Sequence, residues 1–575
     1  MGLIILLCRA CNSQNVRQRE SCKLFVDYTD NGHLGQATAL SSPQSMHVDC
    51  PERGCPEEIA FEAGNKSSVS PSTATLMLKN NIFPGTILIF SLLLAIQGCT
   101  TINLKQTKHG YATQCLQNAD TTTSYSYPEK DTSDNSDSLF IILTFSGGGT
   151  RAAAFSYGVL KQLHDTPITI NGRTMRMLDE VDVISSVSGG SFTAAYYGLH
   201  KDFTFSNTPR SNGIPDFESA FLNKPVQTQL LKTIASPLNL MQIASQNYSR
   251  SDIAQALYDD EIFHGATFSD LQTNKKPFIM INATDLSHGG QFTFTQDYTD
   301  PLFIDLSRLK IATAVTASSA FPIGFSPVTL NRCHERCTVL RPDWVVRALT
   351  QADRTSPLYW KAKHWLNYRE ESCRYVHLID GGIADNLGLR PLLLALEENT
   401  PPLHLKEKIK SGTIKRLAII VVDAANEDSN NISGRKNSPG LNPVFNAVVN
   451  YPLDSVSLDS VNQLNTLINI EKLKQEYAKD YIFELMKSNI RVTLPKSQTT
   501  VEYYPTILSL KEDDVLHDEL KKLNLKKIDT SLELPQHVVG LLIKSGARLL
   551  ENSDNFKKLV EDLQKDAASA AETQQ

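Results

Sequence analysis

Two segments of the chain each place glycines between an apolar strand and a helix, and this pattern constrains the fold more than any other feature. Residues 141–160 read IILTFSGGGTRAAAFSYGVL, where the apolar start predicts a buried strand and residues 151–160 predict a helix. Residues 181–200 read VDVISSVSGGSFTAAYYGLH, which repeats the order of strand, small-residue turn and helix. Strands that alternate with helices in this way predict an α/β fold.

The first glycine turn, Gly147 to Gly149, is compatible with only one of three known uses of such a turn. It lacks the lysine and hydroxyl of a Walker phosphate loop. It fits the dinucleotide spacing with Ala152, but the sequence near position 169, PITING, lacks the acidic residue that would bind a ribose. The third use is an oxyanion hole, because N–H groups at a helix N-terminus bind the negative oxygen formed in acyl transfer. This interpretation requires a nucleophile on a neighbouring turn.

The second turn supplies a candidate nucleophile. Its sequence SVSGG, residues 186–190, has the small-x-Ser-x-Gly form of a nucleophile elbow with Ser188 at its centre. Ser186 stands where glycine is usual, and Gly189 and Gly190 relieve crowding at the sharp turn. Taken alone, such a turn is more often a helix cap. Together with the glycine loop that precedes it, the turn predicts that Ser188 is a nucleophile.

Three later blocks follow in a fixed order: FIMINATDL (278–286), TASSAFPIGFSPV (316–328) and VHLIDGGIADNLGLRPLL (376–393). The last block contains the sequence Asp380-Gly381-Gly382. With the two turns, these blocks resemble the patatin-like phospholipase family over about residues 138–395. The resemblance implies a three-layer α/β/α sandwich with a mainly parallel central sheet, and hydrolysis of acyl esters through a Ser-Asp dyad without a metal or cofactor.

The resemblance also implies the roles of single residues. Ser188 attacks the ester carbonyl, and Asp380 takes up its proton and returns it to the leaving alcohol. The predicted oxyanion loop comprises Gly147, Gly148, Gly149 and Arg151. Arg151 occupies the family's basic position, where it either orients the loop or meets a lipid phosphate. His377, three residues before Asp380, is interpreted as a packing residue, and Asp285 and Asp423, which follow other strands, are interpreted as structural.

The expected substrate is a phospholipid or another acyl ester. The alternative is a catalytically inactive envelope lipoprotein that binds lipid with the same fold. Nucleic acid is not expected as a partner, because 56 Lys and Arg stand against 62 Asp and Glu, giving a net charge of −6 without a long basic run.

Residues 77–99, MLKNNIFPGTILIFSLLLAIQGC, have the composition of an export signal. A lysine near Met77 precedes an apolar stretch that ends in Gly98 and Cys99. The final AIQGC resembles the lipobox of bacterial lipoproteins, in which the cysteine becomes the lipidated first residue. We therefore expect a protein anchored by lipid in the bacterial cell envelope, with Thr100 after the cysteine favouring the outer membrane. A plain membrane anchor or a buried helix is the alternative.

These features divide the chain into six segments. Residues 1–76 are expected to be an upstream translation artefact or a disordered extension, since a signal belongs at a true N-terminus. The remaining segments are a signal peptide (77–98), a flexible tether (99–137), a catalytic domain (138–395), a strand and helices packed on it (396–570) and a frayed tail (571–575).

Four cysteines follow Cys99 in the sequence. Export to an oxidising compartment predicts at least one disulfide among Cys115, Cys333, Cys337 and Cys373, and the sequence does not choose among the pairings. The alternative is a zinc site formed by Cys333, His334, Cys337 and Cys373.

The stretch QLLKTIASPLNLMQIASQN, residues 229–247, is apolar and nearly uncharged. This composition predicts a buried pair of helices. The alternative is a cap over the site that contacts acyl chains.

The lipoprotein hypothesis makes a direct prediction about the mass of the membrane-extracted protein. We expect intact-mass spectrometry to show a chain that begins at Cys99 and carries added acyl groups, because the signal would be removed before lipidation. A species that retains residues before position 99 and has no lipid would contradict the hypothesis.

Overall fold

The computed structural model describes most of the chain from Tyr125 onward, which includes the predicted catalytic domain. The predicted signal peptide, Cys99 and residues 1–76 lie outside the described residues. The described residues are 125–127, 135–206, 213–245, 248–274, 276–322, 324–333, 341–370, 373–425, 436–487, 500–523, 525 and 528–573.

A mixed, mainly parallel sheet forms the centre of the fold. Its strand order is β10-β9-β1-β4-β5-β8-β7, and β6 pairs with β5. Strands β10, β9, β1, β4 and β5 are parallel neighbours, whereas β6, β7 and β8 join in antiparallel pairs. The sheet strands are β1 (Leu139–Phe145), β4 (Val181–Val187), β5 (Phe278–Asp285), β6 (Gln291–Thr293), β7 (Val328–Asn331), β8 (Tyr375–Asp380), β9 (Arg416–Asp423) and β10 (Glu502–Ser509).

A separate antiparallel hairpin joins β2 (Pro167–Ile170) to β3 (Arg173–Arg176). Asn171 and Gly172 form its two-residue turn, and both have positive φ angles, 51° and 75°. Such angles are those of the turn that asparagine followed by glycine favours between two strands.

The described residues form seventeen α-helices, several of which pack on the central sheet. The helices are α1 (Gly149–Asp165), α2 (Gly189–His200), α3 (Val226–Ile234), α4 (Pro237–Ala244), α5 (Arg250–Tyr258), α6 (Phe268–Thr273), α7 (Gln296–Thr299), α8 (Ile311–Ser318), α9 (Asp343–Gln351), α10 (Pro357–Arg369), α11 (Gly382–Asp385), α12 (Arg390–Glu398), α13 (Leu405–Lys410), α14 (Leu441–Lys487), α15 (Asp514–Lys522), α16 (Gln536–Asn552) and α17 (Asp554–Thr573). In the described part of the chain, no helix combines the length and the apolarity that crossing a bilayer requires.

The burial of the central strands explains why the fold has three layers. Every residue of β1, β4 and β5 is buried. Strands that are buried along their whole length need cover on both faces, as in parallel sheets flanked by helices. Helix α1 packs against both α2 and α16, and α12 packs against both α13 and α14. The three-layer α/β/α class expected from the sequence is therefore observed.

Helices α1 and α16 approach each other closely through two glycines. A Cβ atom at Gly158 of α1 would overlap the backbone of Ile543, and one at Gly546 of α16 would overlap the carbonyl oxygen of Phe155. The two backbones are therefore in direct contact, which a side chain at either position would prevent. This contact fixes the C-terminal helices on the helix that follows the glycine loop.

Part of the expected flexible tether is packed on the domain. Tyr125 and Tyr127 are buried, and the Tyr125 hydroxyl donates to the carbonyl oxygen of Ile279 at 2.9 Å while it accepts from the N–H of the same residue. Its ring stacks on Phe278 with 4.8 Å between the centroids. The tether prediction is therefore wrong for residues 125–127, because aromatic rings within the polar segment fill the end of the sheet.

Strand β10 is an element that the sequence analysis missed. It lies at the edge of the sheet beside β9, in a region interpreted as helical. Pro505 within it has no N–H group to donate to a second neighbour, which suits an edge strand. The last helix, α17, continues to Thr573 and so into the tail that was expected to fray.

The glycine contact between α1 and α16 predicts opposite effects for two substitutions in one helix. Gly546→Ala should destabilise the fold by about 1–3 kcal/mol, because its Cβ atom would overlap the backbone of α1. Gly540→Ala, in the same helix with open space at its Cβ position, should stabilise the fold by up to about 1 kcal/mol. Urea unfolding of both variants measures the difference, and equal effects would refute the contact.

Candidate active site

The glycine loop and the serine turn meet because their strands are neighbours in the sheet. Strands β1 and β4 are parallel, and Phe145 pairs with Ser186 at the carboxyl ends of both. The two helices that follow, α1 and α2, therefore begin side by side. A Cβ atom at Gly189 would overlap the carbonyl oxygen of Gly149, so the two turns touch with no room for a side chain.

Ser188 adopts a backbone conformation that nucleophile elbows require. Its φ is 48° and its ψ is −118°, a strained combination for a residue with a side chain. Gly190 removes a further obstacle, since a Cβ atom there would lie 2.7 Å from the Cβ atom of Phe145. Ser186 is buried in β4 and its hydroxyl donates to the carbonyl oxygen of Met280 at 3.2 Å. The small residues predicted around Ser188 thus permit the turn.

Ser318, at the end of α8, holds the elbow from the other side. Its hydroxyl oxygen accepts from the N–H of Ser188 at 2.8 Å, and the hydroxyl donates to the carbonyl oxygen of Asn282 at 2.6 Å. The carbonyl oxygen of Ser318 accepts from the N–H of Gly381 at 3.0 Å. Ser318 therefore ties the serine turn to the Asp380 turn. The sequence block 316–328 indicated this segment but gave no role to Ser318.

Asp380 lies at the end of β8, where it shares a cavity wall with Ser188, and the Ser188 hydroxyl is close enough to lower the pKa of the Asp380 carboxyl. The N–H of Gly382 donates to Asp380 Oδ1 at 2.8 Å. A Cβ atom at Gly381 would overlap the carbonyl oxygen of Asn282, so this turn also needs glycine. The structure therefore brings together the two residues that the sequence analysis placed in the dyad.

Burial controls the acidity of Asp380. The side chain is shielded from water, and this raises the pKa of its carboxyl to about 6, while the hydrogen bonds from Gly382 and Ser188 act in the opposite direction. A carboxylate with such a pKa is a stronger base than an exposed one and is still ionised at neutral pH. These are the properties that a general base for a serine hydroxyl needs.

The glycine loop offers two free N–H groups, one fewer than expected. Gly147 donates its N–H to the carbonyl oxygen of Asn386 at 3.1 Å, so it is not available to a substrate oxygen. In the described part of the chain, the N–H groups of Gly148 and Gly149 have no protein acceptor. Gly148 has φ 137°, a conformation that favours glycine, and it stands at the N-cap of α1. These two groups lie at the positive end of the helix.

Arg151 is buried and clamps the loop to the C-terminal part of the chain. Its Nε donates to the carbonyl oxygen of Ala424 at 2.7 Å, and its Nη1 donates to that of Ile528 at 2.7 Å. Burial lowers the pKa of Arg151 to about 10, which leaves the guanidinium charged at neutral pH, with Asp423 and Asp529 nearby. Of the two expected roles, the contacts favour orientation of the loop over binding of a lipid phosphate.

The dyad opens into a cavity of about 550 Å³, a volume in the range of small-molecule sites. Ser188, Asp380, Gly148 and Gly149 lie in its wall, together with Asn386. Most of the remaining wall is apolar, which suits an acyl chain. The apolar lining residues are Leu230, Leu231, Ile234, Phe321, Phe325, Ile383, Leu453, Ile528 and Leu532.

The C-terminal part of the chain contributes more to this wall than sequence analysis indicated. Leu453 and Asp454 come from α14, and residues 528–532 form a loop beside the glycines. The N–H of Thr150 donates to the carbonyl oxygen of Ser531 at 2.7 Å, and the Ser531 hydroxyl donates to Gln227 Oε1 at 2.8 Å. Strand and helix patterns alone gave no sign of these contacts.

In the described part of the chain, no histidine lines the cavity. His377 bonds with the hydroxyl of Thr329 through Nδ1 at 2.9 Å, on the strand that leads to Asp380. Asp285 is buried and accepts from the hydroxyl of Tyr368 and from His288, away from Ser188. Asp423 caps the N–H of Ala425 at 2.9 Å. Asp285 and Asp423 therefore bond to other groups, and Asp380 is the carboxylate whose pKa the Ser188 hydroxyl affects.

The structure contains a disulfide that involves one of the four cysteines named in the sequence analysis. Cys333 is disulfide-bonded and Cys373 is a free thiol, while Cys115 and Cys337 lie outside the described residues. Since a disulfide sulfur does not ligate zinc, Cys333 is removed from the alternative zinc site. No group of three or more potential metal ligands is present among the described residues.

The fold and site together define an α/β domain in which an elbow serine, a buried carboxylate and unbonded loop N–H groups share one apolar cavity. Residues 143–393 match the family model of patatin-like phospholipases, and this part of the chain is a patatin-like phospholipase domain. A comparison with the curated proteins returned no match.

Solved structures with a similar chain course include human GIVD cytosolic phospholipase A2, at 15% identity over 50% of this chain and 46% of that one, with a TM-score of 0.28. The same enzyme in complex with methyl gamma-linolenyl fluorophosphonate gives 10% identity over 75% and 60%, with a TM-score of 0.32. This chain thus spans about half to three fifths of the length of those chains.

Proposed function

We propose that this protein is an acyl hydrolase that cleaves lipid esters, of the phospholipase, lysophospholipase or esterase type, through Ser188 and Asp380. The observation that carries the proposal is that Ser188 and the buried carboxyl of Asp380 lie in the wall of one cavity, beside the unbonded N–H groups of Gly148 and Gly149. The apolar wall of the cavity supports a substrate with an acyl chain.

The first half of the reaction forms an acyl-enzyme. The Ser188 hydroxyl gives its proton to Asp380 while its oxygen bonds to the ester carbonyl carbon. The carbonyl oxygen becomes an oxyanion, which accepts hydrogen bonds from Gly148 and Gly149. When the intermediate collapses, the carbon–oxygen bond to the alcohol breaks and Asp380 returns the proton to that alcohol.

The second half releases the acid. Water gives a proton to Asp380 and bonds to the acyl carbon, and the oxyanion forms again in the same place. Collapse breaks the bond to Ser188, whose oxygen recovers the proton from Asp380. The two halves leave the enzyme unchanged, and a single carboxylate serves as base and then as acid.

We further propose that the chain acts in the bacterial cell envelope as a lipoprotein anchored through Cys99. The support is the signal-like sequence 77–99 and the disulfide at Cys333, which suits an oxidising compartment.

Substitution of the dyad tests the proposed reaction. Ser188→Ala should lower hydrolysis of a soluble p-nitrophenyl ester by about 10⁴-fold or more, and Asp380→Asn should lose nearly as much, because an amide does not accept the proton. The double variant should be no worse than Ser188→Ala, since both residues serve one step. Circular dichroism confirms that each variant is folded.

Histidine variants are the control for this test, because a histidine-based triad would require one of them. Each should keep substantial activity when folded. A folded histidine variant as inactive as Ser188→Ala would contradict the dyad. The variants are His377→Ala, His404→Ala, His517→Ala and His537→Ala.

The pKa of Asp380 predicts the acid limb of the pH profile. Since the base must be ionised and burial raises its pKa to about 6, kcat/KM should fall about tenfold per pH unit below pH 6. The residual activity of Asp380→Asn should lack this limb. A wild-type limb that ends near pH 4, the range of an exposed carboxyl, would show that Asp380 is not the group that titrates.

A further inference from the structure

Helices α3 and α4 expose apolar side chains that the sequence analysis expected to be buried. Leu238 is 60% exposed, Leu240 51% and Met241 53%, and α4 has no buried residue. Leu231 of α3 is 59% exposed. The expectation of a buried helix pair is therefore wrong, and these four residues form an outward apolar face, which we name the α3–α4 face.

The α3–α4 face is continuous with the cavity that contains Ser188. Leu230, Leu231 and Ile234 of α3 lie in the cavity wall, and Leu231 is 59% exposed. Helix α4 begins three residues after α3 ends. An apolar path therefore runs from the outer surface to the nucleophile.

Charge and size indicate what covers this face. Residues 226–245 contain no acidic residue and one basic residue, Lys232, which is exposed. Apolar side chains with an adjacent lysine suit a lipid surface, where the chains enter the boundary layer and the ammonium stays among the headgroups. A stable protein interface buries about 800 Å² on each partner, whereas α4 is a helix of only eight residues. A lipid surface needs no such complementary area.

We propose that the α3–α4 face docks on the surface of a lipid bilayer and that α3 guides an acyl chain from that surface into the cavity. This inference rests on the proposed function for its substrate, but the docking itself is measured without turnover. Lys224 lies just before α3, where its Nζ is paired with Glu261 at 2.9 Å, so Lys232 is the basic residue that the face itself presents to headgroups.

Hydrogen exchange on vesicles tests the docking directly. The full chain with Ser188→Ala, which prevents turnover, is mixed with phosphatidylcholine vesicles, and exchange is followed by mass spectrometry. We expect amides of Pro237–Ala244 to exchange at least fivefold more slowly on vesicles, because the helix enters the lipid boundary. Peptides that contain Leu286, a leucine with 53% exposure after β5, should be unaffected and are the control.

A triple variant tests the consequence for catalysis. Leu238→Ser with Leu240→Ser and Met241→Ser should lower hydrolysis of vesicle lipid at least fivefold and leave hydrolysis of the soluble p-nitrophenyl ester unchanged, since none of the three lines the cavity. Leu286→Ser, matched in residue type and exposure, should change neither rate.

The outcomes separate the two proposals. A wild-type protein that hydrolyses neither substrate would refute the proposed function, whereas protection of α4 in Ser188→Ala would still support docking. Unprotected α4 amides on vesicles, or an equal loss in Leu286→Ser, would overturn the docking. Protection that appears without vesicles and grows with protein concentration would assign the face to a second copy of the chain and overturn it too.

Discussion

The contact between the two strand-to-helix turns is the constraint on which the site depends. Strands β1 and β4 end side by side, and Gly189 then packs directly on the carbonyl oxygen of Gly149. Any side chain at Gly189 would force the turns apart and separate Ser188 from the loop N–H groups. Because the strands, rather than flexible loops, fix this contact, the nucleophile and the oxyanion donors have a preorganised geometry.

Burial in the same tightly packed site raises the pKa of Asp380. A carboxylate that is shielded from water gains basicity, and the hydrogen bond from the N–H of Gly382 offsets part of the cost of burying it. Ser318 links this turn to the elbow through its hydroxyl and its carbonyl oxygen. Arg151 fixes the other side of the loop by bonding two backbone carbonyls from distant parts of the chain. The glycine loop is therefore held on both sides before any substrate arrives.

The sequence predicted the parts of the fold that depend on local pattern. The β-branched residues of β4 and the turn after it could be recognised because strand, small residues and helix follow one another, and Asp380 could be recognised from the two glycines after it. Strand β10 was missed because Pro505 obscures it, and the loop at residues 528–532 reaches the site through contacts with residues far away in sequence, such as the hydrogen bond from Thr150 to Ser531. Long-range contacts of this kind leave no local periodicity.

The apolar stretch at residues 229–247 shows a second limit of sequence reasoning. An apolar composition fits a buried helix and an exposed apolar helix equally well. The sequence pattern does not show whether protein or solvent covers the apolar side chains. Gly147 illustrates a similar limit. The three glycines of the loop look equivalent in the sequence, but in the folded chain the N–H of Gly147 donates to Asn386, whereas those of Gly148 and Gly149 are unbonded.

Identification of the residue that reacts with a fluorophosphonate tests the central claim most directly. The folded protein is treated with an alkyl fluorophosphonate, digested and sequenced by tandem mass spectrometry. The account predicts one adduct per chain, on the Ser188 hydroxyl, because among the described serines this one combines a nearby base with oxyanion donors. An adduct on another residue, or no adduct in a preparation that hydrolyses esters, would contradict it.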